Sequence, residues 1–152
     1  VCVANEEDAD KVLGIKANNN DVQSGKLNKI GYEYVAKEIS KTYGCKHVAI
    51  TLRESYSASD NGWSAMIYNA EKNEVNFSKE YKIHIVDRVG AGDSFTSGII
   101  YGLINKMSDI DIIEFATAAS CLKHSIEGDF NRISVTEVMS LVNGGGNGRV
   151  VR

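Results

Sequence analysis

Apolar residues change their period several times along this chain, and each change predicts an element. Val1 to Ala4 is a short apolar run, consistent with a buried strand. Asn5 then suits a helix N-cap, and Glu6, Glu7 and Asp8 suit a first helical turn. The polar stretch 17–26 reads as a loop. Beyond it, Leu27, Ile30, Tyr34, Val35 and Ile39 fall at helical spacing, with Gly44 as the stop. His47 to Leu52 reads as a buried strand, and His47 itself as a surface residue at the strand's end. Residues 53–62 are polar and rich in turn formers, the pattern of a loop. Trp63 to Tyr68, Glu74 to Phe77 and Lys82 to Val86 follow as short strands, with a hairpin turn over 69–73, which suggests an antiparallel meander beside a parallel sheet.

The second half of the chain is helical in period. Phe95, Ile99, Leu103 and Met107 recur every four residues, and Ser94, Gly98 and Gly102 form a parallel row of small residues. Glycine in a helix costs about 1 kcal/mol against alanine, so the row implies that another element packs close. Ser108 caps a further helix whose Ile112, Ile113, Phe115, Ala116, Ala119 and Leu122 face a core. Ser134 and Glu137 form a capping-box pattern for a last helix, Val135 to Val142. Residues 143–152 read as a flexible, glycine-rich tail, which leaves 1–142 as the folded part.

Between the strand period and the helix period lies Val86-Asp87-Arg88-Val89-Gly90-Ala91-Gly92-Asp93-Ser94-Phe95. It is a strand-to-helix turn with glycines that let backbone approach a ligand. The unpaired N–H groups of the helix start can hold an anion such as phosphate. Asp93, in the first turn, could take a proton from a nucleophile while those N–H groups stabilise a transferring phosphoryl group. Capping and dipole preferences account for an acid here equally well, and Gly-Ala-Gly could be an ordinary tight turn. The third glycine of the dinucleotide fingerprint is lacking, and no Gly-Lys-Ser or Gly-Lys-Thr marks a Walker loop.

Residues 87–95 resemble the D-T-x-G-A-G-D-x-F signature of the ribokinase-like (PfkB) carbohydrate kinases, with Arg88 in place of the usual threonine. The resemblance implies that Asp93 is the catalytic base, that Gly90, Ala91 and Gly92 form the anion hole, and that ATP and magnesium are used. It implies a three-layer α/β/α fold of mostly parallel sheet, with antiparallel hairpin strands at one side. Asn5 to Asp8 is similar to the family's N-x-x-E element, which makes Asp8 a metal residue acting through water. Asp87 is a further metal candidate, toward a monovalent cation, or it simply closes the turn. Thr51 and Arg53 match the position of a turn beside the ATP phosphates, although Arg53 stands where the family has glycine. His124 and Asn131 fall in the loop that borders the adenine pocket, and for His124 and Lys123 a helix C-terminus is reason enough. Arg88, with the stretch 125–131, resembles the branch that phosphorylates 2-keto-3-deoxygluconate. In that reading Arg88 binds the sugar acid's carboxylate or the γ-phosphate. Ribose, fructose or a nucleoside is an alternative substrate, and a non-catalytic nucleotide- or phosphate-binding module is the alternative from another class.

Composition narrows these readings. The 152 residues carry a formal net charge of −3, which argues against a nucleic-acid platform. No run approaches the roughly 18 apolar residues of a membrane-spanning helix. Cys2, Cys45 and Cys121 are odd in number and scattered, and read as reduced thiols of a cytoplasmic protein. The chain starts at Val1, and ribokinase-like enzymes are about twice as long, so the expectation is the C-terminal half of a kinase, inactive alone. An edge of the sheet left without its neighbours invites pairing, so a homo-oligomer is expected.

Overall fold

The computed structural model describes residues 1–15 and 29–144. The loop expected over 17–26 and most of the glycine-rich tail lie outside these residues. Strand β1 (Cys2–Ala4) leads into the short helix α1 (Glu6–Lys11), followed by α2 (Lys29–Tyr43) and β2 (His47–Ser55). Strands β3 (Asp60–Asn69), β4 (Glu74–Phe77) and β5 (Tyr81–His84) come next, and then α3 (Ala91–Ile104), α4 (Asp109–Lys123) and α5 (Val135–Asn143).

The sheet is mixed, which corrects the expectation of a mostly parallel one. Among the described residues only β1 and β2 run parallel, Cys2 lying opposite Val48. Strand β3 pairs antiparallel with β2 along its whole length, and on its other edge with β4 at Met66–Asn69 and with β5 at Asp60–Trp63. Chain length explains the difference. A connection of a few residues can only reverse a strand, whereas the parallel β1–β2 pair is joined by a long crossover that contains α1 and α2.

The expected loop over 53–62 is also corrected. Arg53, Glu54 and Ser55 continue β2 and pair with Trp63, Gly62 and Asn61, so the turn shrinks to 56–59. Polar residues there satisfy their backbone across the ribbon while most of their side chains stay exposed. Strand β5 stops at His84, earlier than expected, because Val86 and Asp87 donate their N–H groups to the His124 carbonyl instead of to a strand.

Alternation sorts the sheet's residues between two helical layers. Val48, Ile50, Leu52, Met66 and Tyr68 face α1 and α2, packing with Ala9, Val35, Ala36 and Ile39. Ala49, Ala65 and Ile67 point the other way, onto Phe95, Ile99, Ile112, Ile113 and Ala116. The row of small residues on α3 does what its spacing predicted. A Cβ on Gly98 would lie 2.6 Å from the Ala116 Cα, and one on Gly102 would lie 2.7 Å from Ile112 Cγ1. At the far end of the sheet Asn69 donates to both oxygens of the buried Asp109 (3.1 and 3.0 Å), and Lys72 pairs with it at 2.6 Å. His47, expected at the surface, is half-buried in this cluster, 3.5 Å from Asp109. These contacts fix the start of α4, so its C-terminus is aimed at the turn that precedes α3.

Candidate functional site

A cleft of about 350 Å³ opens where β2 and β3 outrun the helices, lined by Asn5, Glu7, Thr51, Arg53, Trp63, Arg88, Ala91, Gly92 and His124. Its wall follows from strand period. Thr51 and Arg53 continue the row begun by Ala49, and Trp63, opposite Arg53, continues the row of Ala65 and Ile67. One face of the sheet is thus core at its centre and cleft at its end.

The floor is the head of α3. Gly90 is its N-cap, in the left-handed region at φ 76°, and provides no side-chain cap. A Cβ on Gly90 would also overlap the Asp129 carbonyl, so glycine is required twice over. Ala91 turns its N–H back to the Arg88 carbonyl at 3.3 Å, and Ser94 donates to Gly90. The N–H groups of Gly92 and Asp93 have no partner among the described residues. The Gly90 N–H has none either, so of the Gly90–Gly92 set expected from the sequence only Ala91 has its N–H engaged, and Asp93 adds a further free donor. Gly92 has helical backbone and nothing within 4 Å of where a Cβ would stand. No protein atom requires a glycine there, so the space it leaves belongs to the cleft. Asp93 is exposed, and its carboxylate has no hydrogen-bond or ion-pair partner among the described residues. It sits beside the cleft without lining it.

The turn itself is held from behind by the C-terminus of α4. Ser120 Oγ donates to the Ala91 carbonyl at 2.9 Å, and the His124 carbonyl accepts from Val86 and Asp87. His124 is 3% exposed, stands edge-on to Trp63 with ring centres 4.6 Å apart, and bonds the Ser120 carbonyl through Nδ1 at 2.8 Å. A carbonyl only accepts, so Nδ1 carries the proton and Nε2 is left as an acceptor. Burial first, and then the positive charges of Arg88, Lys123 and Arg53, hold its pKa below the ordinary value. His124 is therefore neutral at neutral pH.

Asp87 closes the turn. Its Oδ1 accepts from Val89 N–H at 3.0 Å and its Oδ2 from Gly128 N–H at 2.8 Å. Those two bonds, with a contribution from the charge of Lys123, hold its carboxyl below the usual carboxylate range. Arg88 reaches out of the same turn to the tip of the β2–β3 hairpin, where Nη2 donates to the Ala58 carbonyl at 2.6 Å.

The structure thus brings Thr51, Arg53, Arg88, Ala91, Gly92 and His124 to one cleft, with Asp87, Gly90 and Asp93 in the turn beside it, whereas Asn131 and Asp8 make bonds of their own. Asn131 donates to Ser94 Oγ at 2.7 Å and accepts from Ile133, tying the last loop to α3. Asp8 completes a capping box with Asn5, through bonds of 3.1 and 2.9 Å. Sequence reasoning missed Glu7, which lines the cleft and pairs with Lys11 at 2.9 Å, and Trp63, which walls it. The signal for Trp63 was available, since it shares alternation with Ala65 and Ile67. Among the described residues no three His, Cys, Asp or Glu side chains converge as a metal centre. Asn5 and Glu7 on the cleft wall fit a magnesium ion carried mainly by phosphate oxygens and water, which needs only one or two protein acids.

A family model described as pfkB family carbohydrate kinase matches residues 1–131. Among solved structures, the 2-dehydro-3-deoxygluconokinase of Thermotoga maritima is 47% identical, with a TM-score of 0.84 over 93% of this chain and 40% of its own. A provisionally assigned 2-keto-3-deoxygluconate kinase from Enterococcus faecalis is 25% identical, with a TM-score of 0.77 over 99% of this chain and 42% of its own. A PfkB family carbohydrate kinase from Listeria grayi is 28% identical, with a TM-score of 0.72 over 93% and 41%. None of the curated proteins matches. The chain thus spans about 40% of the length of these structural relatives.

Proposed function

The chain belongs to the pfkB family of carbohydrate kinases, and from that premise we propose that it forms the nucleotide-binding and catalytic part of an ATP-dependent sugar-acid kinase. The observation that carries the reading is the head of α3. The N–H groups of Gly90, Gly92 and Asp93, unpaired among the described residues, stand there beside an unpartnered carboxylate, at a cleft whose wall holds two guanidinium groups. A triphosphate suits that cleft, because Arg53 and Arg88 concentrate positive potential over donors already aimed inward.

Phosphoryl transfer is mostly positioning and charge stabilisation. In this reading Asp93 accepts the proton of the attacking sugar hydroxyl. The N–H groups of Gly92 and Asp93, with the Gly90–Gly92 turn behind them, stabilise the transferring oxygens. Thr51 and Arg53 hold nucleotide phosphate or ribose, and His124 offers its neutral ring to the nucleotide. Asn5 and Glu7, with Asp8 through water, would hold magnesium, which when bound neutralises charge on the phosphates. Arg88 reaches the carboxylate of the sugar acid or the γ-phosphate, and its planar fork suits either. For Asn131 the bond to Ser94 leaves a supporting part, that of fixing the first turn of α3.

The substrate proposed is 2-keto-3-deoxygluconate, supported by the 47% identical Thermotoga maritima enzyme and by Arg88 in the signature. The relatives' greater length, the edge of β1 that no strand among the described residues pairs, and the exposed Ile100 and Ile104 on α3 support a further segment of about the relatives' extra length as partner. On that account the present chain is inactive by itself. An assay of a protein that contains this chain and such a segment, with ATP, magnesium and 2-keto-3-deoxygluconate, ribose or fructose, tests the proposal. Preferential turnover of the sugar acid is expected, and turnover of a neutral sugar alone would overturn the substrate assignment.

A further inference from the structure

Lys123 is the last residue of α4, and it is completely buried. A lysine at a helix C-terminus is favoured by the dipole, but that preference is met equally well in solvent and gives no reason for burial. Its ammonium donates to the Ile126 carbonyl at 3.0 Å, the one hydrogen bond that the described residues give it. Burying a charge in this way is costly unless the surroundings use it.

The surroundings are the two strands of chain that meet behind the anion-binding turn. The loop after α4 curls so that Gly128 reaches Asp87 Oδ2, while Val89 takes Oδ1. The carbonyl of His124, the neighbour of Lys123, accepts from Val86 and Asp87. Lys123 is therefore buried against the same loop that Asp87 closes, bonded to its Ile126 carbonyl, and its field reaches that carboxylate. A monovalent cation at Asp87 does not fit this arrangement. The two N–H bonds already offset part of the carboxylate's charge, and a further positive charge would be repelled by the buried ammonium whose field reaches it.

We propose that Lys123 is a built-in monovalent cation, a positioning residue that sets the Asp87–Gly92 turn without an alkali ion. The kinetic consequence rests on the kinase reading, since turnover would then be indifferent to potassium. The structural consequence does not, and it can be read on the purified chain without any turnover.

The test compares thermal unfolding and amide spectra in potassium chloride and in tetramethylammonium chloride at equal ionic strength. For the wild-type chain the two midpoints should coincide, and the Val89 and Gly128 amide signals should not move with potassium. For Lys123→Met the midpoint should fall, and potassium should restore it where tetramethylammonium does not. Potassium-specific stabilisation of the wild type, or potassium-specific movement of those two amides, would overturn the proposal. So would a Lys123→Met chain as stable as the wild type, or one equally weakened in both salts, as loss of a merely structural side chain would give. If Lys123→Met does not fold, the wild-type amides alone decide. Absence of sugar phosphorylation would count against the kinase reading and leave these outcomes unaffected.

Discussion

Two glycines of the same motif should respond in opposite ways to the same substitution. Gly90 sits at φ 76°, and a Cβ there would meet the Asp129 backbone. The left-handed conformation costs an alanine roughly 1–2 kcal/mol, and forcing a backbone carbonyl aside adds about 1–3 kcal/mol. Gly90→Ala should therefore lose about 2–5 kcal/mol, a large share of an ordinary domain's stability. Gly92 has helical backbone and open space. There alanine restores helix propensity and restricts the unfolded chain, so Gly92→Ala should gain up to about 1 kcal/mol. The new methyl, however, stands where the cleft floor must admit phosphate. Nucleotide affinity should fall at least tenfold, or about 1.4 kcal/mol. Urea unfolding with and without ADP and magnesium reads both quantities, since a ligand at 100 times its Kd adds about 2.7 kcal/mol. Loss of stability in Gly92→Ala, or a nucleotide-induced shift equal to that of the wild type, would refute the assignment of that open space to a ligand.

Other substitutions probe the remaining parts. Asp93→Asn should lower kcat by roughly 10²- to 10⁴-fold in the active protein while nucleotide affinity stays within a few-fold; near-normal turnover at saturating substrate would dismiss the base. Arg88→Thr should raise KM for a sugar acid far more than for a neutral sugar, and an equal effect on both would assign Arg88 to phosphate or to its bond with the Ala58 carbonyl. Gly98→Ala should cost about 1–3 kcal/mol by overpacking α3 on α4, measured by denaturant midpoint. The pKa of His124 is lower folded than unfolded, so the unfolded chain binds the extra proton. Stability present above the ordinary value of 6.5 should decline as pH falls from there toward the folded value. His124→Gln should flatten that part of the pH profile, and an unchanged slope would show that another group sets it.

The sequence carried most of the local structure because local chemistry decides it. The caps at Asn5, Ser108 and Ser134 and the glycine row of α3 are short-range signals, and all were legible. The length of the β2–β3 hairpin was not, because Arg53 to Ser55 and Asp60 to Gly62 have loop composition and become strand only by pairing with each other. The site divided along the same line. Gly90, Ala91, Gly92 and Asp93 lie together in sequence, whereas Trp63 and Glu7 reach the cleft through strand register and helix rotation. Asn131 and Asp8 carry local bonds that composition alone does not foretell, to Ser94 Oγ and from the Asn5 N–H. The burial of Lys123 left no local mark, since a lysine ending a helix is usually solvated.

The central claim is that the head of α3 receives the phosphates of a nucleotide. It is tested most directly by titrating ATP and magnesium into the isotope-labelled chain and following its backbone amides. The Gly92 and Asp93 amides should move first and furthest, with Thr51, Arg53 and His124 following at the same nucleotide concentration. Movement confined to residues remote from the cleft, with Gly92 and Asp93 unchanged at saturation, would contradict it.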